Sequence, residues 1–178
     1  MKKTVLLISA LLATLAFTAA VASAQSQGPV AHSARLGSKI VLFKSVGGVK
    51  LGMTPKQIKR KLGKPSHTIR VSSKIAEFQY EKGYKDMINV EFDTLNKRDL
   101  ANGVFGYLKR MHTSKGIHPG SSVKQLKHAY GKALHKFPGG YALYNAKPGS
   151  IGSATTQFGT FRGKIEMIDV QKVFNDLG

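Results

Sequence analysis

The sequence predicts an α+β protein made of two tandem units, each a short helix followed by three antiparallel strands, with the helices on one face of the sheet. Three observations predict it: a short helix punctuated at both ends, its return at a constant offset, and apolar/polar alternation after each copy. The first copy is Gly52-Met53-Thr54-Pro55-Lys56-Gln57-Ile58-Lys59-Arg60-Lys61-Leu62-Gly63-Lys64-Pro65. Thr54 reads as the N-cap, Pro55 as the first helical residue, whose missing N–H costs nothing there, and Gln57 as the partner that closes a capping box. Met53 and Ile58 stand where a hydrophobic staple would join them. Gly63 supplies a left-handed residue after the last turn, and Pro65 blocks resumption. A helix this short is unstable alone, so Ile58 and Leu62, one turn apart, must dock it on a sheet.

The second copy runs from Gly120 to Lys132. Ser122 and Gln125 repeat the capping box, and Leu126 and Tyr130 take the places of Ile58 and Leu62. Gly48/Gly116, Lys56/Lys124, Lys59/Lys127, Gly63/Gly131 and His67/His135 are identical pairs, which points to an internal duplication.

In chain order, residues 1–24 read as a signal peptide: Lys2 and Lys3, an apolar run from Val5 to Val21, then Ala22-Ser23-Ala24 before Gln25. Residues 25–45 form a flexible lead-in, and Ile40-Val41-Leu42-Phe43 is an entering strand or a plug under the sheet. The first unit spans 46–113. After its helix, Ala76, Phe78 and Tyr80 alternate with Glu77 and Gln79, and Ile88, Val90 and Phe92 alternate with Asn89, Glu91 and Asp93. Glu81-Lys82-Gly83-Tyr84 turns between these strands, Leu95 to Asn102 is a charged loop, and Asn102-Gly103 is a turn leading into a third strand, Val104 to Met111. The second unit spans 114–170, with strands Tyr141 to Tyr144, Thr155 to Phe161 and Lys164 to Val170, the last two joined at Arg162-Gly163. Residues 171–178 are a tail fastened by Val173, Phe174 and Leu177.

The chain has no cysteine, so an exported fold must stand on its hydrophobic core, and thiolate chemistry and a lipidated cysteine are excluded. The formal net charge of +19, from 28 basic against 9 acidic residues, bears on solubility and partners and says little about fold. No histidine set has metal-site spacing, and His67 and His135 read as cations placed after helix ends. No serine sits in a nucleophile elbow, and Gly116 to Ser122 lacks a phosphate-loop ending. Hence no catalytic residue, no metal and no cofactor is expected. Two surfaces remain. Lys56, Lys59 and Arg60, with Lys124 and Lys127, form a basic helix layer that is either a solvated face or an anion-binding surface. On the third strand Val104 and Leu108 fall on one face, Phe105 and Tyr107 on the other. One apolar set is therefore exposed unless the lead-in or the tail covers it.

Gly-Met-Thr, a short helix and Leu-Gly-x-Pro, before alternating strands, resembles the module shared by BamE-type (SmpA/OmlA) outer-membrane assembly lipoproteins and the tandem-repeat β-lactamase inhibitory proteins. The resemblance implies a secreted tandem form that clasps another protein with its sheet, inhibitor-like or as an envelope scaffold. The expected function is therefore a secreted, non-enzymatic protein-binding module that engages an unidentified extracytoplasmic protein through Phe105, Tyr107, Glu77 and Glu91. The alternative is a basic anchor on anionic cell-wall polymer or lipid, held through the helix layer. Nucleic acid is not an expected partner.

Overall fold

The computed structural model describes residues 36–81, 87–93, 99–147, 150 and 152–172. The expected signal peptide, the lead-in as far as residue 35, most of the turn after Glu81, the start of the charged loop at Leu95, part of the loop after Lys147, and Val173, Phe174 and Leu177 of the tail lie outside them.

In chain order the described elements are β1 (Lys39–Val41), β2 (Ser45–Val46), β3 (Val49–Lys50), α1 (Pro55–Leu62), β4 (His67–Arg70), β5 (Ile75–Glu81), β6 (Met87–Asp93), β7 (Leu100–Gly106), β8 (His112–Thr113), α2 (Val123–Tyr130), a 3₁₀ turn (Gly131–Ala133), β9 (His135–Phe137), β10 (Gly140–Tyr144), β11 (Ala154–Phe161) and β12 (Lys164–Lys172). They make an eight-stranded sheet in the order β4-β5-β6-β7-β12-β11-β10-β9, antiparallel throughout, and a four-stranded sheet in the order β3-β2-β1-β8. This corrects the expected pair of α-then-βββ repeats. Among the described residues the architecture is mostly β, with two sheets and two helices. The strands that sequence reasoning omitted are those without a buried alternation to reveal them. All four residues of β4 are exposed, as are two of the three in β9, and β1 to β3 and β8 are two or three residues long.

The helices begin as their sequences dictate. Thr54 Oγ1 accepts from the Gln57 amide at 3.3 Å while the Thr54 amide donates to Gln57 Oε1 at 2.8 Å, and Ser122 and Gln125 repeat both bonds at 3.1 and 2.8 Å. Each box satisfies two of the amides that a helix start leaves unpaired. Gly63, at φ 89°, ends α1, and its amide donates to the Lys59 carbonyl at 2.7 Å. Ile58, Leu62 and Leu126 are fully buried, each removal from water contributing about 2 kcal/mol.

Both helices lie on one face of the large sheet, here the inner face. There Phe78, Tyr80, Ile88, Val90, Phe92, Val104, Phe158, Ile168 and Val170 form the core with Ile58, Leu62 and Leu126. The Tyr80 hydroxyl donates to the Gly63 carbonyl at 3.4 Å, and the Tyr130 ring lies 5.7 Å from that of Phe158. The small sheet sits on the same face over the seam where β7 meets β12. Gly106 makes this possible, because a Cβ there would stand 2.8 Å from Val46 Cγ1. Ile40, Val46 and Val49 are buried in the core, and the Phe43 amide donates to Thr156 Oγ1 at 2.8 Å. The Ile40 to Phe43 run is thus both a short strand and part of a plug.

Two local expectations are corrected. Asn102-Gly103 is not a turn: both residues lie within β7, where the register with β6 slips between Glu91 and Phe92 and Asn102 is the extra, buried residue of a bulge. His67 and His135 do not cap helix ends. They stand on the edge strands β4 and β9, His67 Nε2 at 2.9 Å from Glu81 Oε1 and the His135 ring edge-on to Tyr144 at 5.1 Å. The expected tight turn at Arg162-Gly163 is present, with φ of 48° and 75°.

Candidate functional site

The register assigns each side chain to a face, since paired residues in antiparallel strands point the same way. With Phe78, Val90, Val104 and Val170 inward, the outer face carries Glu77, Gln79 and Glu81 from β5, Met87, Asn89, Glu91 and Asp93 from β6, and Gly103 and Phe105 from β7. Asp169 and Gln171 of β12 and Thr155 and Gln157 of β11 complete it. Five of the nine acidic residues, Glu77, Glu81, Glu91, Asp93 and Asp169, therefore share one face of a strongly basic chain.

Phe105 occupies the middle of that face, between Asn89 on β6 and Asp169 on β12. Its ring folds along its own strand over Gly103. A Cβ on Gly103 would meet Phe105 Cε2 at 3.0 Å and Glu91 Cβ at 3.4 Å, so the glycine leaves the space that the ring fills beside Glu91. Glu77 stands directly opposite Glu91, an arrangement of like charges that disfavours pairing, and Gln79 Nε2 donates to Glu77 Oε1 at 2.9 Å. Tyr107 lies beyond the strand end, its amide donating to the Met87 carbonyl at 3.1 Å, and its side chain lines a cleft with Lys109, His118, Lys164 and Glu166. The structure thus brings Phe105, Glu91 and Glu77 together and sets Tyr107 apart from them.

Asp169 was not singled out by sequence reasoning, and it is the most perturbed side chain of the face. It is 1% exposed. Burial, with a smaller repulsion from Glu91, pushes its carboxyl up to about 7, against the Gln157 backbone amide and the Gln171 side chain, which favour the ionised form. Gln171 Nε2 donates to Asp169 Oδ2 at 3.2 Å, whereas Oδ1 has no hydrogen-bond partner. Asn89 Oδ1 and Asn102 Oδ1 are likewise buried without a partner. An available sequence signal was the carboxylate inside Ile168-Asp169-Val170, between two β-branched residues of a strand.

On the helix side, Lys56, Lys59, Arg60, Lys124 and Lys127 are all exposed. The structure gives two of them a local role. Lys59 Nζ lies 4.8 Å from the centroid of the Phe78 ring and Lys127 Nζ 5.5 Å from that of Tyr141, contacts worth about 0.5–1 kcal/mol at exposed sites. Among the described residues no group of three or more His, Asp or Glu is placed to hold a metal ion.

No family model matches the chain, and no curated protein matches it. Among solved structures it is similar to an extracellular protein containing a SCP domain from Bacillus anthracis str. Ames, at 7% identity and TM-score 0.49, over 68% of this chain and 44% of that one. It is also similar to a cysteine-rich secretory protein from Staphylococcus aureus subsp. aureus Mu50, at 11% identity and TM-score 0.47, over 76% of this chain and 49% of that one. The chain spans less than half the length of either. Such a likeness assigns no activity. The expected membership of the BamE-type or β-lactamase inhibitory superfamily is corrected: no family model matches the chain, and among the described residues the architecture is mostly β rather than α-then-βββ. The first of these proteins is extracellular and the second secretory, and among the described residues of this chain no helix is long and apolar enough to cross a membrane.

Proposed function

We propose that the chain is an exported, non-enzymatic module that binds another protein through the outer face of its eight-stranded sheet. One observation carries the reading: the helices and the small sheet pack on the inner face, while the outer face keeps a half-buried phenylalanine ringed by carboxylates and amides, one of them a buried Asp169 with an unpartnered oxygen. An aromatic anchor amid polar groups is the usual make-up of an interface centre. Export rests on the charged start, the apolar run and the small-residue site at Ala22-Ser23-Ala24. Capture experiments from culture medium and from envelope extract test the reading, with the Phe105→Ala/Tyr107→Ala double variant as the control. Saturable capture of a protein by the wild type, lost in the folded double variant, is the expected result. Equal capture by both rules the face out.

A second reading is favoured by the exposed cations of the helix layer, since neither helix has an acidic residue in its first turn and Lys56 and Lys124 there oppose the helix dipole. In it the layer holds the protein on anionic cell-surface polymer or lipid. Retention would then fall steeply with salt and with the Lys56, Lys59, Lys124 and Lys127→Gln variant. Retention indifferent to salt eliminates it.

A further inference from the structure

We infer that the free edge of β4 takes an extended segment of a partner protein as an added strand of the large sheet, one whose side chains alternate between apolar and acidic. This edge is distinct from the outer face, and its occupancy does not depend on the outer-face reading. Antiparallel strands exchange backbone bonds at every second pair. The Val71 amide donates to the Ile75 carbonyl at 3.0 Å, in the register that pairs Ile69 with Glu77 and His67 with Gln79. The bonded positions are therefore His67, Ile69 and Val71, and the amides and carbonyls of Thr68 and Arg70 turn away from β5. Among the described residues no strand lies beyond β4 to receive them.

Sheet edges are usually blunted against such pairing, and the two edges of this sheet differ in that respect. At the far edge β9 is three residues long, has Lys136 at its middle and runs into Pro138, which has no amide to donate. β4 contains no proline, and its pairing with β5 runs from His67 to Arg70 without a bulge. All four of its residues are exposed. Ile69 is 41% and Val71 57% exposed, and with Val41 and Phe161 they are the exposed large apolar side chains among the described residues.

The two sides of the edge specify the partner. Thr68 and Arg70 pair with Phe78 and Ala76, so they lie on the inner side, where Lys59 Nζ stands 4.8 Å from the centroid of the Phe78 ring. Ile69 and Val71 lie on the outer side, next to His67, which is already held by Glu81. A strand laid along β4 alternates likewise, so one set of its side chains stands beside Ile69 and Val71 and the other beside Arg70 and Lys59. Apolar residues suit the first set. Acidic residues suit the second, because opposite charges on neighbouring strands attract. A second copy of this chain is disfavoured. Pairing β4 with β4 would gather Arg70 and Lys59 of both molecules on one side of the joined sheet, in a chain of formal net charge +19.

The test uses the whole mature chain with a fluorescent peptide of alternating valine and glutamate, and a counterpart with lysine in place of glutamate. Saturable binding of the glutamate peptide is expected in fluorescence anisotropy, together with slowed hydrogen exchange at the Thr68 and Arg70 amides. Thr68→Pro, which removes an outward donor and leaves the bonds to β5 in place, should weaken binding about tenfold. Arg70→Glu should shift the preference towards the lysine peptide by about fivefold. Equal binding of the two peptides by the wild type, no saturation at concentrations on the order of 1 mM, or unweakened binding by folded Thr68→Pro would each overturn the inference. Should Thr68→Pro not fold, exchange in the wild type decides: a bound glutamate peptide that leaves the Thr68 and Arg70 amides unprotected sits elsewhere and overturns it. A mature chain that sediments as a dimer, and as a monomer after Arg70→Glu, would assign the edge to a second copy and overturn it too.

Discussion

The strands that follow α1 and those that follow α2 present similar inner faces and dissimilar outer ones. Inward, both supply β-branched and aromatic residues to one core: Phe78, Val90 and Val104 from the first set, Phe158, Ile168 and Val170 from the second. Outward, β5 and β6 carry Glu77, Glu81, Glu91 and Asp93, whereas β10 and β11 carry Ala142, Tyr144, Thr155 and Gln157, and Asp169 of β12 stands at the seam. The inner face answers to packing, which both sets must satisfy alike. The outer face was free to differ, and its acids sit on one side of the molecule. Asp169 lies where the two sets join, so its surroundings depend on both.

The largest effects should fall on what the halves share. Leu62→Ala and Leu126→Ala should each destabilise by about 2–4 kcal/mol in urea unfolding, because each leaves a cavity between helix and sheet. A loss below about 0.5 kcal/mol at either site would show that its helix is not docked as described.

Next comes the seam. The Asp169 carboxyl is raised in the folded state from 3.8 to about 7, so between those values the folded protein binds more protons than the unfolded chain, and stability falls as the pH rises through that window. Below it the carboxyl is neutral in both states. Above it the cost of burying the charge is felt in full, on the order of 4 kcal/mol. Asp169→Asn should therefore raise the melting temperature near pH 8 and flatten the pH profile between about 4 and 7. An unchanged profile would mean that this carboxylate is better solvated than its burial implies.

A smaller effect is expected at the floor of the outer face. Gly103→Ala should displace the Phe105 ring and cost about 1 kcal/mol, readable as a change in near-ultraviolet ellipticity together with stability. The smallest effects belong to the helix layer. Lys59→Gln and Lys127→Gln should each lower stability by about 0.5 kcal/mol through loss of the contacts with Phe78 and Tyr141. If one matters and the other does not, the two helices are less alike than their sequences.

Much of the local structure was legible because it is set by near neighbours. A threonine or serine three residues before a glutamine closes a capping box wherever it stands, and Gly63 and Gly131 were marked by the positive φ that the chain needs there. Alternation located β5 and β6 because one side of each meets the core and the other does not. It could not locate β4 or β9, whose residues are strand only because a neighbour pairs with them, and it misread Asn102-Gly103, where pairing with β6 overrides a local turn preference. Phe105, Glu77 and Glu91 could be placed on one face by counting. The burial of Asp169, the unpartnered oxygens beside it and the ring lying over Gly103 could not, because each depends on the antiparallel junction of β7 with β12 between residues more than sixty positions apart in sequence. The sequence alone determined where the helices start and stop and which side chains must be covered. Which strands would become neighbours across that seam, and hence which acid would be buried, was decided by tertiary structure, since only packing of the whole sheet removes that carboxylate from water.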